Sequence, residues 1–111
     1  MTEEVQSPFL LAKRLEADVL RLLSQMDVSL LTTAEQQKVS TLKHSLIDAR
    51  LEIQDYELAE TREDQLRNAA DSKKYLQIAK TIITSGNLYV FGAVDVAHLT
   101  AQLEQIVERL H

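Results

Sequence analysis

The chain contains no cysteine, only two glycines and one proline, and no excess of positive charge. Without cysteine there are no disulfides, no thiolate nucleophile and no cysteine-ligated metal. Two glycines and one proline are too few for the turns of an all-β sandwich or barrel. They also leave no glycine-rich loop to cradle a phosphate. The net charge of −5 over 111 residues disfavours generic binding to nucleic acid or to an anionic membrane surface. Long hydrophobic runs are missing too. The most apolar stretch, Ile82 to Leu99, is interrupted by Gly86, Asn87, Gly92, Asp95 and His98, whereas a membrane span needs roughly 20 mainly apolar residues. The N-terminal residues carry two acids and no base before the first apolar side chains, unlike a secretory signal. The expected location is therefore cytoplasmic.

What is present is helical periodicity. Between Pro8 and Gly86 there is neither glycine nor proline, which strongly favours helix. Ser7 as N-cap and Pro8 at the first helical position open helix one. Ala12, Leu15, Val19, Leu22 and Met26 follow a 3-4 spacing, and the helix is expected over 8–27. Helix two opens on a capping-box pattern, either Thr32 with Glu35 or Thr33 with Gln36. Its seam of Val39, Leu42, Leu46, Ala49, Ile53 and Tyr56 is coiled-coil-like and should pack on helix one. A second stripe, Ile47, Leu51 and Leu58, lies about 140° round the same helix. A hairpin with helix one covers one face only, so the second stripe must meet a later helix or another chain.

The heptad register is lost after Tyr56, and Asp71-Ser72 reads as a new N-cap. Helix two is therefore expected over 33–69 with a break near 68–72, and helix three over 71–85; an unbroken helix to Ser85 is the alternative. Gly86-Asn87 is a helix stop. Leu88-Tyr-Val-Phe is a short run of β-formers closed by Gly92. It is either an apolar connector laid over the core or a strand that pairs with another chain. Asp95 then caps a helix over 95–110, with Val96, Leu99, Leu103, Ile106 and Leu110 in heptad spacing. The expected fold is all-α: one domain over 1–111, a four-helix antiparallel bundle with a long second helix, a short apolar connector over 86–94, and residues 1–6 disordered.

Charge is segregated along the chain. Residues 52–64 hold Glu52, Asp55, Glu57, Glu60, Glu63 and Asp64 against Arg62 alone, and residues 65–83 hold Arg67, Lys73, Lys74 and Lys80 against Asp71. The acidic block reads as a docking patch for a basic partner surface or as one half of a block-against-block contact in a dimer. A solvated helix face is the simpler account.

No catalytic constellation stands out. His44, Asp48 and Glu52 share one helical face but match neither a two-histidine zinc set nor the Glu-x-x-His motifs of di-iron bundles. Asp95 and His98 at a helix start read as cap and surface. No serine sits on a sharp glycine-flanked turn. Lys73, Lys74 and Lys80 with Tyr75 form a single basic-aromatic patch, below what a specific DNA reader uses. No catalytic, cofactor-binding or metal residue is assigned.

The functional expectation is a non-catalytic protein–protein interaction module (adaptor, regulator or assembly chaperone), homodimeric through helix two. Its partner-binding residues would be Ile47, Leu51, Leu58, Glu57, Glu60, Asp64, Leu88, Tyr89 and Phe91. Two alternatives stand beside it. One is a bundle binding a small apolar ligand between helices three and four, lined by Tyr75, Ile82, Tyr89 and Phe91. The other is an acidic inhibitor that mimics nucleic acid.

Overall fold

In the computed structural model, which describes residues 7–86 and 88–111, four α-helices account for most of the chain. They are α1 (Pro8–Leu23), α2 (Thr33–Leu58), α3 (Arg62–Thr84) and α4 (Ala93–Glu108), with a 3-10 turn at Val28–Leu30. Each helix packs on the next and α4 returns to α1, which makes an up-down-up-down bundle. The broadest of these interfaces joins α2 and α3. The two central helices, 26 and 23 residues long, outreach α1 and α4, each 16 residues. Among the described residues there is no β-strand and no helix long and apolar enough to cross a membrane. The expected disorder of residues 1–6 lies outside the described residues.

The helix starts follow from local chemistry. Leu10 N–H donates to the Ser7 hydroxyl at 3.2 Å, with Pro8 at the first position of α1. Of the two candidate capping boxes, Thr32 and Glu35 form the real one. Glu35 N–H donates to Thr32 Oγ1 at 3.1 Å, and Thr32 N–H donates to Glu35 Oε1 at 2.9 Å. That second bond, reinforced by the Thr32 hydroxyl, holds the Glu35 carboxyl below its usual range.

Three boundaries differ from the sequence expectation. Helix one stops at Leu23 rather than Asp27. Asp27 instead accepts from the hydroxyl and N–H of Ser29 at 2.6 and 3.0 Å and caps the 3-10 turn, bonds that lower its pKa. Met26 and Leu31 turn inward from this connection and close the lower end of the core. The break in helix two falls at 59–61, not 68–72. Thr61 is the N-cap of α3, its Oγ1 accepting from Asp64 N–H at 3.1 Å. Asp71-Ser72 is no cap at all. Ser72 is fully buried in mid-helix, its hydroxyl donating to Asn68 C=O at 2.7 Å. Finally, α4 begins after Gly92 rather than Asp95. Asp95 sits one turn in and its Oδ2 accepts from Gly92 N–H at 3.4 Å, a carboxylate at a positive helix end.

The core is a single cluster. The seam read from helix two is its spine: Val39, Leu42, Leu46, Ala49 and Ile53 are buried and Tyr56 packs half-buried against them. Helix α3 answers with Ala69, Ser72, Leu76, Ala79 and Ile83. Three of those five are Ala or Ser, so with Ser45 and Ala49 of α2 they let two long backbones lie close together. Gly86 adopts φ +75° after α3, the left-handed C′ conformation that terminates a helix. The segment 88–91 then folds back in a turn, Phe91 N–H donating to Leu88 C=O at 3.2 Å. Leu88 and Phe91 are buried in the core. This segment is the connector laid over the core, because its two inward side chains are used within their own chain.

Candidate interaction surface

The nine residues read as partner-binding divide into three groups. Leu88 and Phe91, expected as part of an exposed apolar run, are 2% and 8% exposed, and only Tyr89 faces solvent. They are core residues. A turn, unlike a strand, can point the first and fourth of four side chains the same way.

The acidic residues are largely engaged at helix ends. Glu57 Oε1 accepts from Phe9 N–H at 3.3 Å, in the first turn of α1. Asp64 lies in the first turn of α3 and pairs with Arg67, three residues on. Glu63 shares that turn, and Glu60 is exposed at the corner between α2 and α3. Acids in a first turn complement unpaired N–H groups and the positive end of the helix dipole. Two acids of the block, Glu63 and Asp64, are thus part of the start signal of α3. Thr61-Arg-Glu-Asp64 is a capping pattern in its own right.

The third group is the stripe Ile47, Leu51 and Leu58. None is covered: they are 36%, 45% and 71% exposed. The buried side of α2 runs from Val39 through Leu42, Ser45, Leu46 and Ala49 to Ile53. The stripe points about 140° away from that side. The outer face of α2 therefore continues as Ser40, His44, Ile47, Leu51, Gln54, Leu58, in unbroken 4-3-4-3-4 spacing. All six positions are exposed. His44 is tied back to its own helix, Nδ1 lying 2.8 Å from Ser40 C=O. A carbonyl only accepts, so Nδ1 donates this bond.

Charged rows flank this face. Lys43 and Arg50 lie along one side, Asp48 and Asp55 along the other. Arg50 Nε donates to Glu16 Oε1 at 2.6 Å, a bond that pins α1 to α2. On the acidic side, burial raises the pKa of Glu52, and Asp71, Asp55 and Asp48 raise it further, with Arg67 opposing. That flank is crowded with like charge.

Away from this face the surface also carries grooves. An open groove of about 310 Å³ runs between α3 and α4, lined by Lys73, Leu76, Gln77, Lys80, Leu103, Glu104, Val107 and Glu108. It lies where the ligand alternative was expected but uses none of Tyr75, Ile82, Tyr89 or Phe91. Tyr75 instead borders a shallow pocket with His44 and Asp48 on the α2–α3 side. No group of three or more potential metal ligands clusters among the described residues.

Fold and surface together define a small four-helix bundle whose second helix is apolar on two opposite sides. Comparison with protein-family models, with curated proteins and with solved structures finds no match to this chain.

Proposed function

We propose that the protein is a non-catalytic interaction module of the adaptor, regulator or assembly-chaperone kind, and that it self-associates through the outer face of α2. The observation that carries this reading is the row of Ile47, Leu51 and Leu58, exposed on a helix whose opposite face already forms the core. Burying a fully exposed Leu-sized side chain gains about 1.5–3 kcal/mol. Two chains with three partly exposed residues each thus gain several kcal/mol. That is comparable with the roughly 4–15 kcal/mol of lost translational and rotational freedom on association. The apolar row alone gives weak association, and polar contacts beside it must supply the rest.

Sedimentation velocity over a wide concentration range tests the reading. The wild type should dimerise, and Leu51→Asp or Leu58→Asp should leave a folded monomer with an unchanged far-UV circular dichroism spectrum. A wild type that stays monomeric at high concentration would sink it.

A second reading has its own observation, the groove between α3 and α4. Its apolar floor of Leu76, Leu103 and Val107, rimmed by Lys73, Lys80, Glu104 and Glu108, lies at the small end of ligand-pocket volumes. Native mass spectrometry separates the two readings. A co-purifying ligand mass that disappears in Val107→Trp supports the groove, and a clean dimer mass supports the module. The inhibitor alternative gains least support, since Glu57 and Asp64 already serve helix ends.

A further inference from the structure

We infer that the occupant of the outer face of α2 is a second copy of the same helix, aligned parallel and in register, with Lys43 of each chain facing Asp48 of the other and Arg50 facing Asp55. The inference rests on the self-association reading and adds its orientation and its register.

With Ile47 and Gln54 at d positions, His44, Leu51 and Leu58 take the a positions of a heptad pattern. Lys43 and Arg50 are then g residues, and Asp48 and Asp55 are e residues. In a parallel pair each g residue meets the e residue five positions later in the partner. Both pairings, Lys43 with Asp48 and Arg50 with Asp55, unite opposite charges, and the twofold axis repeats each of them.

The antiparallel arrangement fares worse. Setting Leu51 against Ile47 of the other chain keeps the apolar layers. It also places Asp48 against Asp48 and Arg50 against Arg50, with Lys43–Glu57 as the one favourable pairing. Like charges face to face are costly in an interface.

Intrahelical pairing does not account for these charges. Side chains support each other along a helix at spacings of three or four. Lys43 has no acid at those spacings, and neither Asp48 nor Asp55 has a lysine or arginine there. A spacing of five sets two side chains about 140° apart on one helix; it is useful only across two. Arg50 spends Nε on Glu16 and retains its terminal amino groups for a partner, since a guanidinium carries five N–H donors. Arg67 already opposes the like charge around Glu52, and the partner's Lys43 and Arg50 add further cations to that flank. The surface thus carries its own complement, which a heterologous partner would not require.

The absence of native cysteine makes orientation directly readable. In Leu58→Cys the two thiols are adjacent across a parallel pair. In the antiparallel pair they stand about 27 Å apart and each lies beside position 40 of the other chain. The full-length variant, treated with a short bismaleimide, should cross-link to a covalent dimer. An equimolar mixture of Ser40→Cys and Leu58→Cys should give no more mixed product than random exchange within a parallel dimer allows, which at opposite ends is none. Cross-linking in the mixture but not in Leu58→Cys alone overturns the parallel assignment and leaves self-association standing. A dimer that cross-links in neither overturns the use of this face, and a wild-type monomer overturns both readings.

Charge exchange tests the register. Lys43→Glu and Asp48→Lys should each raise the dimer Kd by about three- to tenfold, and the double variant should recover most of the loss. Single variants without effect, or a double variant as weak as the sum of its parts, overturn the register. Thermal melts of dilute monomer separate these outcomes from misfolding.

Discussion

The two faces of α2 are built from the same kinds of residue at the same spacing, yet one is the centre of the molecule and the other is bare. On the inner face, Val39, Leu42, Leu46, Ala49 and Ile53 are all below a tenth exposed. On the outer face, Ile47, Leu51 and Leu58 run from one-third to nearly three-quarters exposed. Apolar spacing states that a face wants a partner; it does not say which helix supplies it. Helix α3 buries the small residues Ala69, Ser72 and Ala79 and α2 buries Ser45 and Ala49, side chains that permit close helix approach.

The difference can be broken in graded ways. Leu42→Ala, at a fully buried position, should cost about 2–5 kcal/mol by chemical denaturation. Ser72→Leu forces bulk into a fully buried site of α3 and should cost about 1–3 kcal/mol; a small effect would mean that α3 can shift to make room without loss. On the other side of the helix, Leu51→Asp should change the stability of the dilute monomer by no more than about 0.5 kcal/mol, while removing the concentration dependence of the wild-type melt.

The smallest effect lies at the edge of the outer face. Burial and three neighbouring aspartates raise the pKa of Glu52 above its ordinary 4.5. The folded state therefore holds that proton more tightly than the unfolded chain does. The stabilisation this gives is present below pH 4.5 and is lost as pH rises through the raised value. At neutral pH the charged Glu52 is a small liability. Glu52→Gln should stabilise the protein at pH 7 by about 0.5 kcal/mol or less, and the gain should vanish below about pH 4. A gain that persists in acid would place its origin in packing rather than charge.

Legibility followed the strength of the local signal. Ser7-Pro8 and Gly86 stand where they were read, and Thr32 with Glu35 is one of the two capping boxes that the sequence offered. The corner at 59–61 was harder. Ala59 and Glu60 are good helix formers, and Thr61, the actual cap, was masked by acids that look like a surface block. Ser72 misled for the opposite reason: beside Asp71 it has the form of a cap, whereas a buried serine that donates to its own helix needs none. Of the candidate surface, the apolar stripe was legible because 3.6-residue periodicity is. The burial of Leu88 and Phe91 was not, since alternating β-formers and a turn share a composition.

By itself the sequence determined that the chain is helical, where α1 and α2 start, which residues line the inner seam of α2, and that this helix has a second apolar face. Those properties depend on side chains within one turn of each other, where capping and periodicity act. Tertiary structure alone decided how the other helices pack around the inner seam of α2 and that its outer face stays uncovered. Those choices rest on whether small residues on distant segments let two backbones approach, a property of the pair that neither helix carries alone.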